Sequence, residues 1–161
     1  MIISLDVSNA DNNGGQTVEA NENGVLTIGK WDGSSQSELF QFQVVSRDNN
    51  VAIIALIAPN SGHFVSIGST DRDGTLRVQS ISIGNAEKFQ IVSSNDGSWA
   101  LKSIANGKYV SVDNKVLKAN QNSISTMSKF NIINVQTEGL SDIVNDSSGA
   151  GGFFSRNKGQ N

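Results

Sequence analysis

Two stretches decide how this chain folds: Ala55-Leu56-Ile57-Ala58-Pro59-Asn60-Ser61-Gly62-His63-Phe64-Val65-Ser66-Ile67 and Ala100-Leu101-Lys102-Ser103-Ile104-Ala105-Asn106-Gly107-Lys108-Tyr109-Val110-Ser111-Val112. Each sets a Leu six residues before a Gly, followed by His or Lys, an aromatic ring, Val, Ser and an aliphatic side chain. A weaker copy lies upstream, where Leu5 leads to Gly15-Gln16-Thr17-Val18-Glu19-Ala20 across four extra residues. The repetition continues downstream. Gly24-Val25-Leu26-Thr27-Ile28 matches Gly74-Thr75-Leu76-Arg77-Val78 and Lys115-Val116-Leu117-Lys118-Ala119. Each is followed by a Phe-led segment: Phe40-Gln41-Phe42, Phe89-Gln90-Ile91 and Phe130-Asn131-Ile132. Self-similarity at this period marks an architecture assembled from units that cannot fold alone.

Within a unit the apolar pattern has period two. Leu101, Val110, Leu117 and Phe130 alternate with polar neighbours, as in strands with one buried face. Asn60-Ser61-Gly62, Asp73-Gly74, Asn106-Gly107 and Asp113-Asn114 supply the turn chemistry between them. No stretch sustains the i, i+3, i+4 spacing of a helix. Each unit therefore offers four short strands, and three units around one axis pool their apolar faces in a closed sheet without exposed edges. The expected fold is all-β, a β-trefoil of three four-stranded repeats with pseudo-threefold symmetry. The expected organisation is residues 1–138 as the trefoil, with repeats near 1–49, 50–96 and 97–138, and residues 139–161 as a Gly/Ser-rich C-terminal extension.

Composition narrows the function. The 161 residues include 16 Gly, one Pro and no Cys, and carry a formal net charge of −3. Lys and Arg are scattered, so the basic stripe that nucleic-acid binding requires is missing. Without cysteine there are neither disulfides nor thiolate chemistry, as suits a reducing compartment. No apolar run approaches the roughly 18 residues of a membrane span. The N-terminus lacks the basic and apolar regions of a signal peptide, so the expected location is cytoplasmic, with non-classical release as the alternative route.

The pattern Leu-x5-Gly-[Lys/His]-[Tyr/Phe]-Val-Ser, with a Leu in the next hairpin and then Lys-Phe-x-Ile, resembles the fascin-like β-trefoils. That group includes the actin-bundling fascins and the histidine-rich hisactophilins. The likeness is strongest over Ala100–Ile133, good over Ala55–Val92 and weakest in the first copy. The repeated Gln-x-Trp of ricin-type trefoils is absent. The resemblance implies a non-catalytic binding module, because members of the group and related trefoils bind actin, membranes or sugars. This chain holds one trefoil where fascin holds several, and a single His, which departs from both named relatives.

Catalytic inventories come up short. His63 is the one imidazole and stands where Lys108 stands in the matching copy, at a position that reads as exposed; a Ser–His–Asp arrangement needs a buried, oriented ring. Carboxylates such as Asp6, Asp11, Glu19, Glu22, Asp32 and Glu38 read as outward or near turns rather than as a glycosidase pair. Asp71-Arg72-Asp73-Gly74 has the opening of a calcium loop but no late bidentate Glu, and reads as an Asp-Gly hairpin. No enzyme, metal or cofactor is expected.

Residues that recur in all copies are explained by folding, so those that break the pattern are candidates for function. The long Asn9–Gly15 loop contributes Asn12 and Asn13. The Lys30–Gln36 loop contributes Trp31 and Asp32, with Trp31 standing where the other copies have Ile81 and Asn122. An aromatic face in a polar loop stacks on sugar rings or anchors a protein contact. Trp99, by contrast, shares parity with Leu101 and reads as core. In the tail, Ile143, Phe153 and Phe154 sit on a Gly-rich tether and read as a docking peptide. Two functions follow as expectations: binding a protein partner or self-association through loops and tail, or a lectin-like module binding glycans through Trp31 and the polar turns. Actin binding comes after both.

Overall fold

The computed structural model describes residues 1–8, 16–30, 38–68 and 73–135, with Lys30 defined by its backbone alone. Among these residues twelve strands lie in three sets of four. The first is β1 (Ile2–Val7), β2 (Gln16–Ala20), β3 (Leu26–Lys30) and β4 (Phe40–Asp48); the second is β5 (Val51–Ala58), β6 (His63–Ser66), β7 (Arg77–Ser80) and β8 (Phe89–Ser93). The third is β9 (Trp99–Ser103), β10 (Tyr109–Asp113), β11 (Val116–Gln121) and β12 (Phe130–Asn134). Short 3₁₀ turns at Asn85–Glu87 and Thr126–Ser128 precede β8 and β12. Among the described residues no helix is long and apolar enough to cross a membrane.

The outer strands of each set form a barrel, all antiparallel. Following the pairings from β1 to β12, then β9, β8, β5, β4 and back to β1 closes the ring. Closure removes the free edges that an open sheet of this width would present. The hairpins β2–β3, β6–β7 and β10–β11 cap one end. They are sewn together cyclically: the amides of Val78, Ala119 and Ile28 donate to the carbonyls of Gly24, Gly74 and Lys115 at 2.7, 2.8 and 3.0 Å. These acceptors are the residues that the sequence repeat aligns, and all three have positive φ, at 81°, 78° and 65°. Two of them are glycines, for which that conformation carries little steric cost. Lys115 follows Asn114 (φ 52°) in a two-residue turn with both central residues left-handed, as is Asn49-Asn50 between β4 and β5.

The core is built in threefold rings. Phe40, Phe89 and Phe130 are fully buried, as are the Leu26/Leu76/Leu117 and Val18/Val65/Val110 sets. Leu5, Leu56 and Leu101 join them, and Trp99 is buried in the same cluster as Ile3 and Ile54, as its parity with Leu101 predicts. Glu38 departs from expectation. It does not point outward but is 2% exposed. Its counterparts two residues before each Phe, Glu87 and Ser128, are buried as well and serve the turn ahead of the strand. Gly84 N donates to Glu87 Oε1 at 2.7 Å, and Ser125 N donates to Ser128 Oγ at 2.6 Å. Ser66 Oγ donates to Glu87 Oε2 at 2.6 Å, which gives the Ser of Val65-Ser66 its role in the second repeat. Glu38 shares parity with buried Phe40, and Glu87 shows how a carboxylate buried at this place is met by donors.

Candidate functional site

The residues singled out for ligand contact, Trp31, Asp32, Asn12 and Asn13, lie outside the described residues, as do Ile143, Phe153 and Phe154 of the tail. The neighbouring geometry bears on one of them. Ile81, the threefold counterpart of Trp31, is 82% exposed, and Asn122 is exposed too.

The described residues do form a cleft, of about 630 Å³, at the boundary between the first and second repeats. One wall is the β2–β3 turn, Ala20 to Gly24. The other is the β5–β6 turn with Ala58, Asn60, Ser61 and His63, and Leu39 and Val78 complete it. The volume falls within the range of small-ligand sites, about 300–1,000 Å³. Both walls are held by hydrogen bonds within the turns themselves. Asn21 Oδ1 accepts from the amides of Asn23 and Val25 at 2.9 and 3.0 Å, and Gly24 N donates to Asn21 O at 2.9 Å. Opposite, Gly62 N donates to Ala58 O at 2.8 Å, with Gly62 at φ 73°, and His63 N donates to Ser61 Oγ at 3.2 Å.

On these fixed turns the side chains of Glu22, Asn23, Asn60 and His63 make no hydrogen bond to any described residue. They supply amide donors and acceptors, a carboxylate and an imidazole. His63 is half-buried here rather than exposed. The described lining contains no Lys or Arg, so an anionic ligand would find no counter-charge while meeting Glu22. Sequence reasoning missed this site because its walls come from different repeats. A signal was nonetheless present: Pro59 and Ser61 depart from Ile104 and Asn106 within the best-aligned stretch of the chain.

Away from the cleft, two carboxylates serve turns and ion pairs. Asp73 Oδ1 accepts from Thr75 N at 3.2 Å and from Thr75 Oγ1 at 2.7 Å, while Oδ2 lies 3.1 Å from Lys118 Nζ. Those hydrogen bonds, Thr75 first, hold the Asp73 carboxyl below its ordinary value. Lys118 also reaches Asp113 at 3.4 Å, and its ammonium is held above the ordinary lysine value, chiefly by Asp73. Asp73 thus works as a turn residue, while Asp71 and Arg72 lie outside the described residues. Asp96 closes the β8–β9 turn on Ser98, with Lys129 at 3.3 Å. The Ser98 hydroxyl and amide, ahead of Lys129, depress its carboxyl strongly. Among the described residues no three His, Cys, Asp or Glu side chains are grouped to hold a metal.

No protein-family model matches the sequence, and no curated protein matches it. Solved structures do match in fold. The designed threefold-symmetric protein ThreeFoil has a TM-score of 0.70 at 15% identity, over 83% of this chain and 99% of its own. A Polyporus squamosus lectin, solved with the human-type influenza-binding epitope Neu5Aca2-6Galb1-4GlcNAc, has a TM-score of 0.67 at 18% identity, over 81% of this chain and 48% of the lectin. A mosquitocidal holotoxin has a TM-score of 0.67 at 12% identity, over 82% of this chain and 17% of the toxin. This chain therefore spans about half the length of the lectin and a small part of the toxin. With the closed barrel, the three capping hairpins and the likeness to ThreeFoil, the chain has the β-trefoil fold.

Proposed function

We propose that this chain is a non-catalytic, lectin-like recognition module that binds an uncharged carbohydrate in the cleft between its first and second repeats. The observation that carries the reading is the pairing of two internally hydrogen-bonded turns with uncommitted polar side chains, Glu22, Asn23, Asn60 and His63, around a cleft of ligand size. Sugars are recognised by hydrogen bonds from groups held in advance of binding, since less ordering entropy is then lost. The likeness in fold to a lectin agrees with this. The lining, however, favours neutral sugars over sialylated ones, because it offers Glu22 and no cation. A glycan array carrying neutral, sialylated and sulfated structures tests it. Neutral glycans should bind, and Asn60→Ala and Asn23→Ala should each weaken binding at least tenfold. Binding confined to acidic glycans, or unchanged in both variants, would overturn the reading.

A second reading, a protein partner or self-association, draws on Ile81, whose exposure at the position matching Trp31 suits a contact made outward. Deleting residues 140–161 should then change the sedimentation of the chain or its capture of a partner, without altering glycan binding. The fascin-like kinship belongs to this second reading. Its motif is made of buried core and turn residues, so it speaks for the scaffold, and actin co-sedimentation tests whether it extends to activity.

A further inference from the structure

At two of the three repeat boundaries the backbone is clasped in the same way. Ser8 N donates to Lys129 O at 2.8 Å, joining the first repeat to the third, and Ile104 N donates to Lys88 O at 3.0 Å, joining the third to the second. Ser8 and Ile104 lie three residues after Leu5 and Leu101, and Lys129 and Lys88 immediately precede Phe130 and Phe89. The same arithmetic at the remaining boundary gives Pro59, three residues after Leu56, facing Leu39, which precedes Phe40. Pro59 is the one proline of the chain and has no N–H to donate. The clasp is absent at the boundary where the cleft lies, and Leu39 is one of its lining residues.

A second difference falls two residues further on. In the third repeat Asn106 Nδ2 reaches across to the Ala119 carbonyl at 2.9 Å, bolting the β9–β10 turn to β11. The counterparts in the second repeat are Ser61 and Val78, both lining the cleft. A serine side chain lacks the amide that spans this gap. Ser61 keeps only the local half of the job, accepting from His63 N at 3.2 Å as Asn106 Oδ1 accepts from Lys108 N at 2.9 Å. Two neighbouring positions thus each withdraw a bond that is made elsewhere in the molecule. Backbone hydrogen bonds across packed repeats are otherwise satisfied as a matter of course, so the exception is informative.

We propose that Pro59 and Ser61 are the residues that hold the first repeat boundary open to ligand, and that Ile104 and Asn106 at the same positions hold the second boundary shut. Local loss of symmetry thereby makes the first boundary unlike the second. The identity of the ligand rests on the function proposed above; the opening itself does not.

The test is the full-length chain carrying Pro59→Ala and Ser61→Asn together, with Ser61→Asn alone as a second, surface-exposed variant. Amide hydrogen exchange at position 59 and a crystal structure report the geometry. Titration with neutral mono- and disaccharides of galactose, glucose, mannose and N-acetylglucosamine reports binding. In the double variant the amide gained at position 59 should exchange at least tenfold more slowly than an open turn amide, matching the clasped amide of Ile104. The side-chain amide gained at position 61 should bond the Val78 carbonyl, and any binding shown by the parent should fall at least tenfold in both variants. Ile104→Pro with Asn106→Ser should speed exchange at residues 105–108 and leave parent binding intact. An unprotected amide at position 59, or undiminished binding with clasp and bolt both formed, would overturn the proposal. If the parent binds no sugar in the panel while the clasp and bolt form as expected, the glycan reading fails and the assignment of Pro59 and Ser61 stands.

Discussion

The amide of Val78 donates to the carbonyl of Gly24 at 2.7 Å, and a Cβ placed on residue 24 would stand 2.9 Å from the carbonyl oxygen of the same Val78. Gly74 meets Ala119 in the same way and more tightly, at φ 78°. Replacing Gly74 by Ala combines a left-handed backbone, at about 1–2 kcal/mol, with backbone displacement. The variant should lose about 2 kcal/mol or more of unfolding free energy in urea titration. A midpoint equal to that of the parent would contradict the cyclic sewing of the cap.

Lys115 occupies the third equivalent place with φ 65° and carries a side chain there. Lys115→Gly should therefore gain stability, by about 1 kcal/mol. Opposite signs for Gly74→Ala and Lys115→Gly in the same urea titration would show that the three positions are one structural site filled in two ways.

These positions also mark how far the sequence could be read. The Leu, Val and Phe rings, the aligned Gly24/Gly74/Lys115 set and the burial of Trp99 were all legible, because period-two patterning and turn chemistry act locally. Glu38 was not, since a carboxylate reads as solvated even where, as here, it shares parity with a buried Phe. The cleft was not legible either. Ala20–Gly24 and Ala58–His63 are far apart in the chain, and each turn alone is an ordinary polar loop. The missing donor at Pro59 and the shorter side chain at Ser61, compared with Ile104 and Asn106, betray the opening, and that comparison needs to know which carbonyls lie opposite.

Phe89 and Ile81 lie eight residues apart with opposite fates, one wholly buried and the other 82% exposed. Phe89→Ala should cost about 3–5 kcal/mol through the cavity it leaves. Ile81→Ser should change stability by no more than about 0.5 kcal/mol. Thermal unfolding of the two variants checks both values.

Glu87 collects donors from Ser66 Oγ and Gly84 N in a buried turn. Glu87→Ala strands both donors and should cost about 1–3 kcal/mol. Glu87→Ser, which copies Ser128, should recover part of that loss by bonding the Gly84 amide. Equal destabilisation by Ala and Ser would show that the turn does not depend on this acceptor.

Asp73 and Asp96 both have carboxyls held below the ordinary aspartate value of 3.8. A depressed native value means that the unfolded chain takes up protons first as pH falls, so the stabilisation is complete only above about pH 5 and is lost as pH falls through the lower native values. The unfolding midpoint should drop between about pH 5 and pH 2. Asp73→Asn with Asp96→Asn should flatten that drop and leave a smaller difference between neutral and acid stability. A parallel decline in parent and double variant would assign the acid sensitivity to other carboxylates.

The seam where β1 meets β12 is hydrogen-bonded from Ile3–Asn134 to Val7–Phe130, and Val135 N donates to the Ile2 carbonyl at 3.0 Å. Head and foot of the trefoil are thus stitched to each other by the same kind of ladder that joins strands elsewhere in the ring. A circular permutant that fuses residue 135 to residue 1 through a short linker and begins at Val51 would keep every barrel pairing. The order of the repeats along the polypeptide is incidental to the ring, and topology alone does not say which repeat comes first.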